Sequence, residues 1–160
     1  MSKLHQVAWD ERAGAATNAR REFPQLAASL FTQVRALLAD APSPAKLHRV
    51  RLLTKRLRYT LELFRPCYGP GLETRLAALR RIQLSLGEVN DSAAAARLLS
   101  KSMSTASPQR ARLLRFLEER AAVKAQEFRK DWAEVFDAPG QELWWTTYLA
   151  RHARTPGRRP

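Results

Sequence analysis

One cysteine among 160 residues, Cys67, leaves this chain no disulfide framework and no thiolate metal site. No apolar run approaches the ~18 residues a membrane span needs. The N-terminal stretch MSKLHQVAWDERAGAA lacks both a long apolar core and a small-residue cleavage pattern, so it does not read as a signal peptide. The expected location is the cytoplasm. Glycines number six, and neither Asn-Gly nor Asp-Gly occurs. Sustained strand alternation is missing as well, so strand signals are absent. Catalytic signatures are missing too: no G-x-x-x-x-G-K-[ST] phosphate loop, no H-E-x-x-H and no G-x-S-x-G. Acids are few, 15 Asp+Glu against 28 Lys+Arg. They are scattered, so no carboxylate cluster suggests itself for Mg²⁺, and candidates for a general base are few. The expectation is a protein that is not an enzyme, with no catalytic residues, no cofactor and no metal.

What the chain has in excess is positive charge. Its formal net charge is +13, and Arg far outnumbers Lys. Such a field draws polyphosphate, nucleic acid and acidic membranes alike and does not choose among them. Arg suits phosphate because its planar fork donates two hydrogen bonds to two oxygens and keeps its charge. The length suits one domain, able to bury roughly 70% of its unfolded surface.

The cations are densest in KLHRVRLLTKRLRYTLELF, Lys46 to Phe64, which contains no Gly or Pro. At 3.6 residues per turn, His48, Arg51, Lys55 and Arg58 share one face, with Tyr59 and Glu62 beside them. Arg49 and Arg56 lie about a quarter-turn away, as a rim. Val50, Leu53, Leu57, Leu61 and Phe64 make the opposite face, with Leu47 and Thr54 at its edge. Like charges along one stripe repel each other, an arrangement that makes sense if a polyanion lies along it.

The pattern His48-x-x-Arg51-x-x-x-Lys55-x-x-Arg58-Tyr59, followed by Glu62, resembles the signature of the CHAD family, the conserved-histidine α-helical domains. A second segment, LRRIQLSLGEVND, carries Leu79, Ile82-Gln83, Leu86-Gly87 and Asn90-Asp91. It is similar to the family's LQ-x-x-LG-x-x-ND stretch, and Tyr68-Gly69 lies between the two. The close match covers roughly Leu47 to Leu99. The resemblance implies an all-helical basic module that binds inorganic polyphosphate, with the motif cations lining a groove, and a link to polyphosphate granules. The family's usual two tandem bundles are about twice this length, and the motif occurs once here. The resemblance therefore implies either a half-domain that forms a homodimer to rebuild the groove or a shortened form with half a site. The alternating Glu-x-Glu-x-Lys of the CYTH domains often fused to this family is absent.

Along the chain, the pattern predicts an all-α antiparallel helical bundle over residues 1–150. A first helical region runs from about Leu4 to Ala39 and is bent or broken near Pro24. Ser43 caps the motif helix, with Pro44 at its first position, and the helix runs to Arg65. A third helix spans Leu72 to Leu86, with Leu72, Leu76, Leu79, Gln83 and Leu86 on one face. Gly87 ends it as a C-cap. Asn90 or Asp91 then caps a short helix to Ser100. Pro108 opens a long helix to Asp137, with Leu113, Leu114, Leu117, Ala121, Phe128, Trp132 and Val135 facing inward. A last short helix holds Trp144, Trp145, Tyr148 and Leu149. Residues 151–160 read as a disordered basic tail.

From charge alone the stripe reads equally well as a solvated face. With the resemblance, the expected polyphosphate-binding set is His48, Arg51, Lys55, Arg58, Arg49, Arg56 and Tyr59, with Arg80 and Lys124 in second rank. Glu62 can reach Arg58 and preorient it, and Gln83 needs a buried partner on the motif helix or its neighbour. Asn90 and Asp91 fix the loop, or bind a motif cation. Two other functions fit the composition: a nucleic-acid-binding helical protein that uses its basic tail, and a helical dimerisation or scaffold module with incidental charge.

Overall fold

A computed structural model of the protein describes residues 5–156, which contain helices and no strand. The helices are α1 (Ala15–Leu38), α2 (Pro44–Leu63), the single turn α3 (Arg65–Tyr68), α4 (Glu73–Ser102), α5 (Pro108–Asp131) and α6 (Gln141–Arg151). They form the all-α bundle the pattern implies. α4 packs between α2 and α5, and α1 lies against α2 and α6.

α2 begins where its local chemistry says it should. The Ser43 side chain accepts a hydrogen bond from the Lys46 N–H at 3.3 Å, and Pro44 takes the first helical position. Leu47, Val50, Leu53, Leu57 and Leu61 are buried, each worth about 1.5–3 kcal/mol of apolar transfer. Thr54, placed at the edge by its spacing, is fully buried and donates its hydroxyl hydrogen to the Val50 carbonyl at 3.1 Å. The helix stops at Leu63, and Phe64 turns edge-on to Phe23 with ring centres 4.7 Å apart.

Four expectations need correction. First, α1 starts at Ala15, and residues 5–14 are not helical; Leu4 lies outside the described residues. Buried polar groups on α1 hold that segment: Glu22 accepts from the Ala8 N–H at 2.9 Å, and Asn18 donates to the Asp10 carbonyl at 2.9 Å. Pro24 sits inside α1 without ending it. Proline removes one backbone donor and costs about 3 kcal/mol in a helix interior. Phe23, Leu26, Ala27, Leu30 and Phe31 around it are buried, and that packing outweighs the lost bond.

Second, α4 is one helix of 30 residues. Gly87 is not a C-cap, and Asn90 and Asp91 are not N-caps. The buried stripe of Leu72, Leu76, Leu79, Ile82 and Leu86 continues to Val89 without a break. Third, of the residues expected to face inward on α5, Phe128 and Trp132 are buried, Leu114, Leu117, Ala121 and Val135 are half-buried, and Leu113 is 44% exposed. The helix changes to a π-turn at Trp132–Phe136, where the Trp132 and Phe136 rings stack at 5.0 Å.

Fourth, the tail from Arg151 is docked as far as Arg154. Ala153 is fully buried, the Arg154 N–H donates to the Cys67 carbonyl at 2.8 Å, and Arg20 donates to the Ala153 carbonyl at 2.7 Å. Residues 157–160 lie outside the described residues. α6 is fixed to α4 by Arg75, whose guanidinium lies 3.4 Å from the Trp144 ring centre and 3.7 Å from that of Tyr148. Burial pulls this arginine down to about 10.

Candidate functional site: a cationic helix face

The exposed side of α2 meets the edge of α4, and polar contacts between the two helices fix the cations. Gln83, Gly87 and Asn90 recur at four and three residues, so an unbroken α4 aligns them on the side facing α2. At one end, His48 Nδ1 lies 2.8 Å from Asn90 Oδ1. That oxygen only accepts, so the contact is a hydrogen bond in the tautomer with the proton on Nδ1, and Nε2 has no hydrogen-bond partner among the described residues. At the other end, Arg58 Nε donates to Gln83 Oε1 at 2.8 Å, and its Nη1 donates to Glu62 at 2.9 Å. Between them the Arg51 Nε approaches Gly87, where an added Cβ would lie 3.9 Å from it.

Glu62 is shared. Arg80, one turn before Gln83 on α4, also donates to it at 2.9 Å, and Arg80 approaches Glu73 as well. Burial works to raise the Glu62 carboxyl, but the hydrogen bond from Arg80 and the charges of Arg58 and Arg80 outweigh it and hold it below its usual range. The carboxylate thus stays ionised and orients two arginines, so a net positive charge remains. Tyr59 is 49% exposed and lies under Lys55 and Arg58, 5.3 Å and 4.5 Å from its ring centre. It steadies both cations through its ring face.

Arg49, Arg51, Lys55 and Arg56 have no carboxylate within 4.0 Å among the described residues, whereas Arg21, Arg35, Arg65, Arg81 and Arg120 each have at least one. Two donors on this face are buried without an acceptor: Arg51 Nε and Gln83 Nε2. An unmet buried donor costs on the order of 1–3 kcal/mol. Arg51 and Lys55 are therefore cations whose charge is not spent on a carboxylate of the fold, and Arg51 keeps a buried donor unmet.

Not every expected residue joins this face. Arg56 is exposed on the far side of the α2 rim, and Asp91 is exposed on α4 with no hydrogen bond to a motif cation. Lys124 belongs to another cleft, about 560 Å³ in volume, between α4 and α5. There it donates to Glu127 at 2.8 Å, and this bond raises its pKa. Across that cleft Arg120 donates to Glu88 and holds its carboxyl below the usual range. Acids outnumber cations in its lining, Glu88, Glu127, Asp131 and Glu134 against Arg81, Lys124 and Lys130, so this cleft has little to offer an anion. Arg97 was missed by sequence reasoning. It lines a cavity of about 500 Å³ with His48, Asn90 and the Ser43–Pro44 start of α2. Its position seven residues after Asn90, two turns along one helix, was the available signal.

A basic helix face anchored at both ends to the Gln83–Asn90 stretch is the arrangement on which the family comparison bears. The CHAD domain model matches residues 2–100. The chain belongs to the CHAD domain family. The match takes in α1, α2 and nearly all of α4, so the whole candidate face falls within the CHAD region, while α5 and α6 lie beyond it. No curated protein and no solved structure matched the chain. Among the described residues of this CHAD chain, no helix is long and apolar enough to cross a membrane, and no group of three His, Cys, Asp or Glu could hold a metal ion.

Proposed function

We propose that the protein binds inorganic polyphosphate without chemically changing it, along the face made by His48, Arg51, Lys55 and Arg58 and the adjoining edge of α4. The observation that carries this reading is the combination of unpaired cations and held geometry. Arg51 and Lys55 have no carboxylate, while Gln83, Glu62 and Asn90 fix the side chains at either end. Preoriented cations lose less freedom when an anion arrives. Successive phosphates would exchange their counterions for these side chains, with Arg adding two-pronged contacts. Arg80 would form the rim and Tyr59 the floor under Lys55. Membership of the CHAD family supports phosphate chains as the ligand class.

The test is calorimetric titration with long-chain polyphosphate beside single-stranded DNA of matched charge at physiological salt. The expected result is a clear preference for polyphosphate. Lys55→Ala with Arg58→Ala should lower polyphosphate affinity at least about tenfold, the scale of a couple of charge-assisted hydrogen bonds. Helical content by circular dichroism should stay unchanged. Retained affinity in a folded double variant would place the site elsewhere, and equal binding of DNA would make the charge unselective.

A further inference from the structure

Between Val89 and Phe128 no apolar side chain is buried. The outer part of α5 has α4 as its principal neighbour, and it carries two apolar stripes where one would suffice. Leu114, Leu117 and Ala121 are half-buried and lead into buried Phe128. On another face Leu113, Phe116, Arg120, Val123 and Glu127 recur at alternating spacings of three and four, the seam pattern of paired helices. Here Leu113 is 44%, Phe116 56% and Val123 54% exposed.

The charges along α5 say what covers this seam. Cations run along its whole length, from Arg110, Arg112 and Arg115 through Arg120 and Lys124 to Arg129 and Lys130, whereas the acids Glu118, Glu119, Glu127 and Asp131 enter only from its middle onward. An antiparallel second copy lays the acid-free start of each helix beside the acid-bearing part of the other. In the register that sets Phe116 against Val123 of the second copy, Arg120 faces Glu119 and Arg112 faces Glu127. A twofold axis makes each pair occur twice. Arg112 and Glu119 have no charged partner within their own chain among the described residues, whereas Arg120 and Glu127 are paired there with Glu88 and Lys124 and take a second partner across the interface.

The geometry points to an antiparallel α5–α5 interface between two copies of this chain, with Phe116 and Val123 at its centre. Sedimentation of the full chain at about 50 µM, within the range of weak specific pairs, should give twice the 18.2 kDa of one chain. Phe116→Glu with Val123→Glu should give a folded monomer, since both side chains are exposed. Arg112→Glu should weaken the dimer about tenfold, and adding Glu127→Arg should restore most of that loss. A wild-type monomer, or a dimer that survives Phe116→Glu with Val123→Glu, overturns the interface. Failure of Glu127→Arg to restore association overturns the register.

Discussion

At Gly87 an added Cβ would make only an ordinary contact, 3.9 Å from the Arg51 Nε. Glycine in a helix interior costs about 1 kcal/mol relative to alanine, and nothing in the packing of α4 requires it. The space it leaves lies on the cationic face, between the His48–Asn90 and Arg58–Gln83 contacts, where a phosphate chain would pass. Gly87→Ala is therefore expected to stabilise the fold by about 0.5–1 kcal/mol, raising the thermal midpoint by a few degrees. It should lower polyphosphate affinity by about threefold or more, a trade of stability against function. Parallel melts and titrations check this. A stabilised variant with unchanged affinity would mean that the glycine serves no ligand. The same residue shows why part of the site could not be read from sequence. Gly87 followed by Asn90-Asp91 imitates a C-cap and a new N-cap. Only the buried stripe running on through Leu86 to Val89 shows that packing overrides the punctuation.

Elements differ in how openly they declare themselves. α2 was legible almost to the residue, because Ser43-Pro44 opens it, its two faces differ sharply and no breaker interrupts it. α1 was less so. Pro24 suggested a break, and the segment before Ala15 gave no sign that it would be tied down by Asn18 and Glu22. That tie has a pH signature. The hydrogen bond from Arg21, then those from the Ala8 N–H and His5, lower Glu22 from 4.5 to about 2 despite its burial. A carboxyl depressed on folding stabilises the fold at pH values above 4.5. That contribution is lost as the pH falls towards 2. It amounts to at most about 3 kcal/mol, of which about 2 is gone by pH ~3. Glu22→Gln should flatten the loss of stability between about pH 5 and pH 3, measured by denaturant unfolding. An unchanged slope would show that other carboxyls carry the acid sensitivity. α5 was legible as a helix, but its Leu and Phe residues are too many for one inward face, and spacing alone could not say which stripe α4 would cover.

Over the whole molecule, the formal charge of +13 would attract a polyanion to any surface, so the case for a site must separate placement from field. Removing two charges anywhere weakens that field by the same formal amount. Removing them from α2 also takes away ligands that Gln83, Glu62 and Tyr59 hold in place. Lys55→Ala with Arg58→Ala can therefore be set against Arg129→Ala with Arg151→Ala, which removes two exposed charges from α5 and α6. Counterion release makes log affinity fall linearly with log salt, with a slope of about 0.7 per phosphate contact on a single strand. The α2 pair should reduce the slope by about 1–2 and the control pair by less than about 0.5, with the control's affinity within about threefold of wild type. Equal losses in the two variants would reduce α2 to one patch of a uniformly sticky surface. The expected inequality would localise the contacts, because salt slopes count phosphates that are touched and a diffuse field touches none in particular.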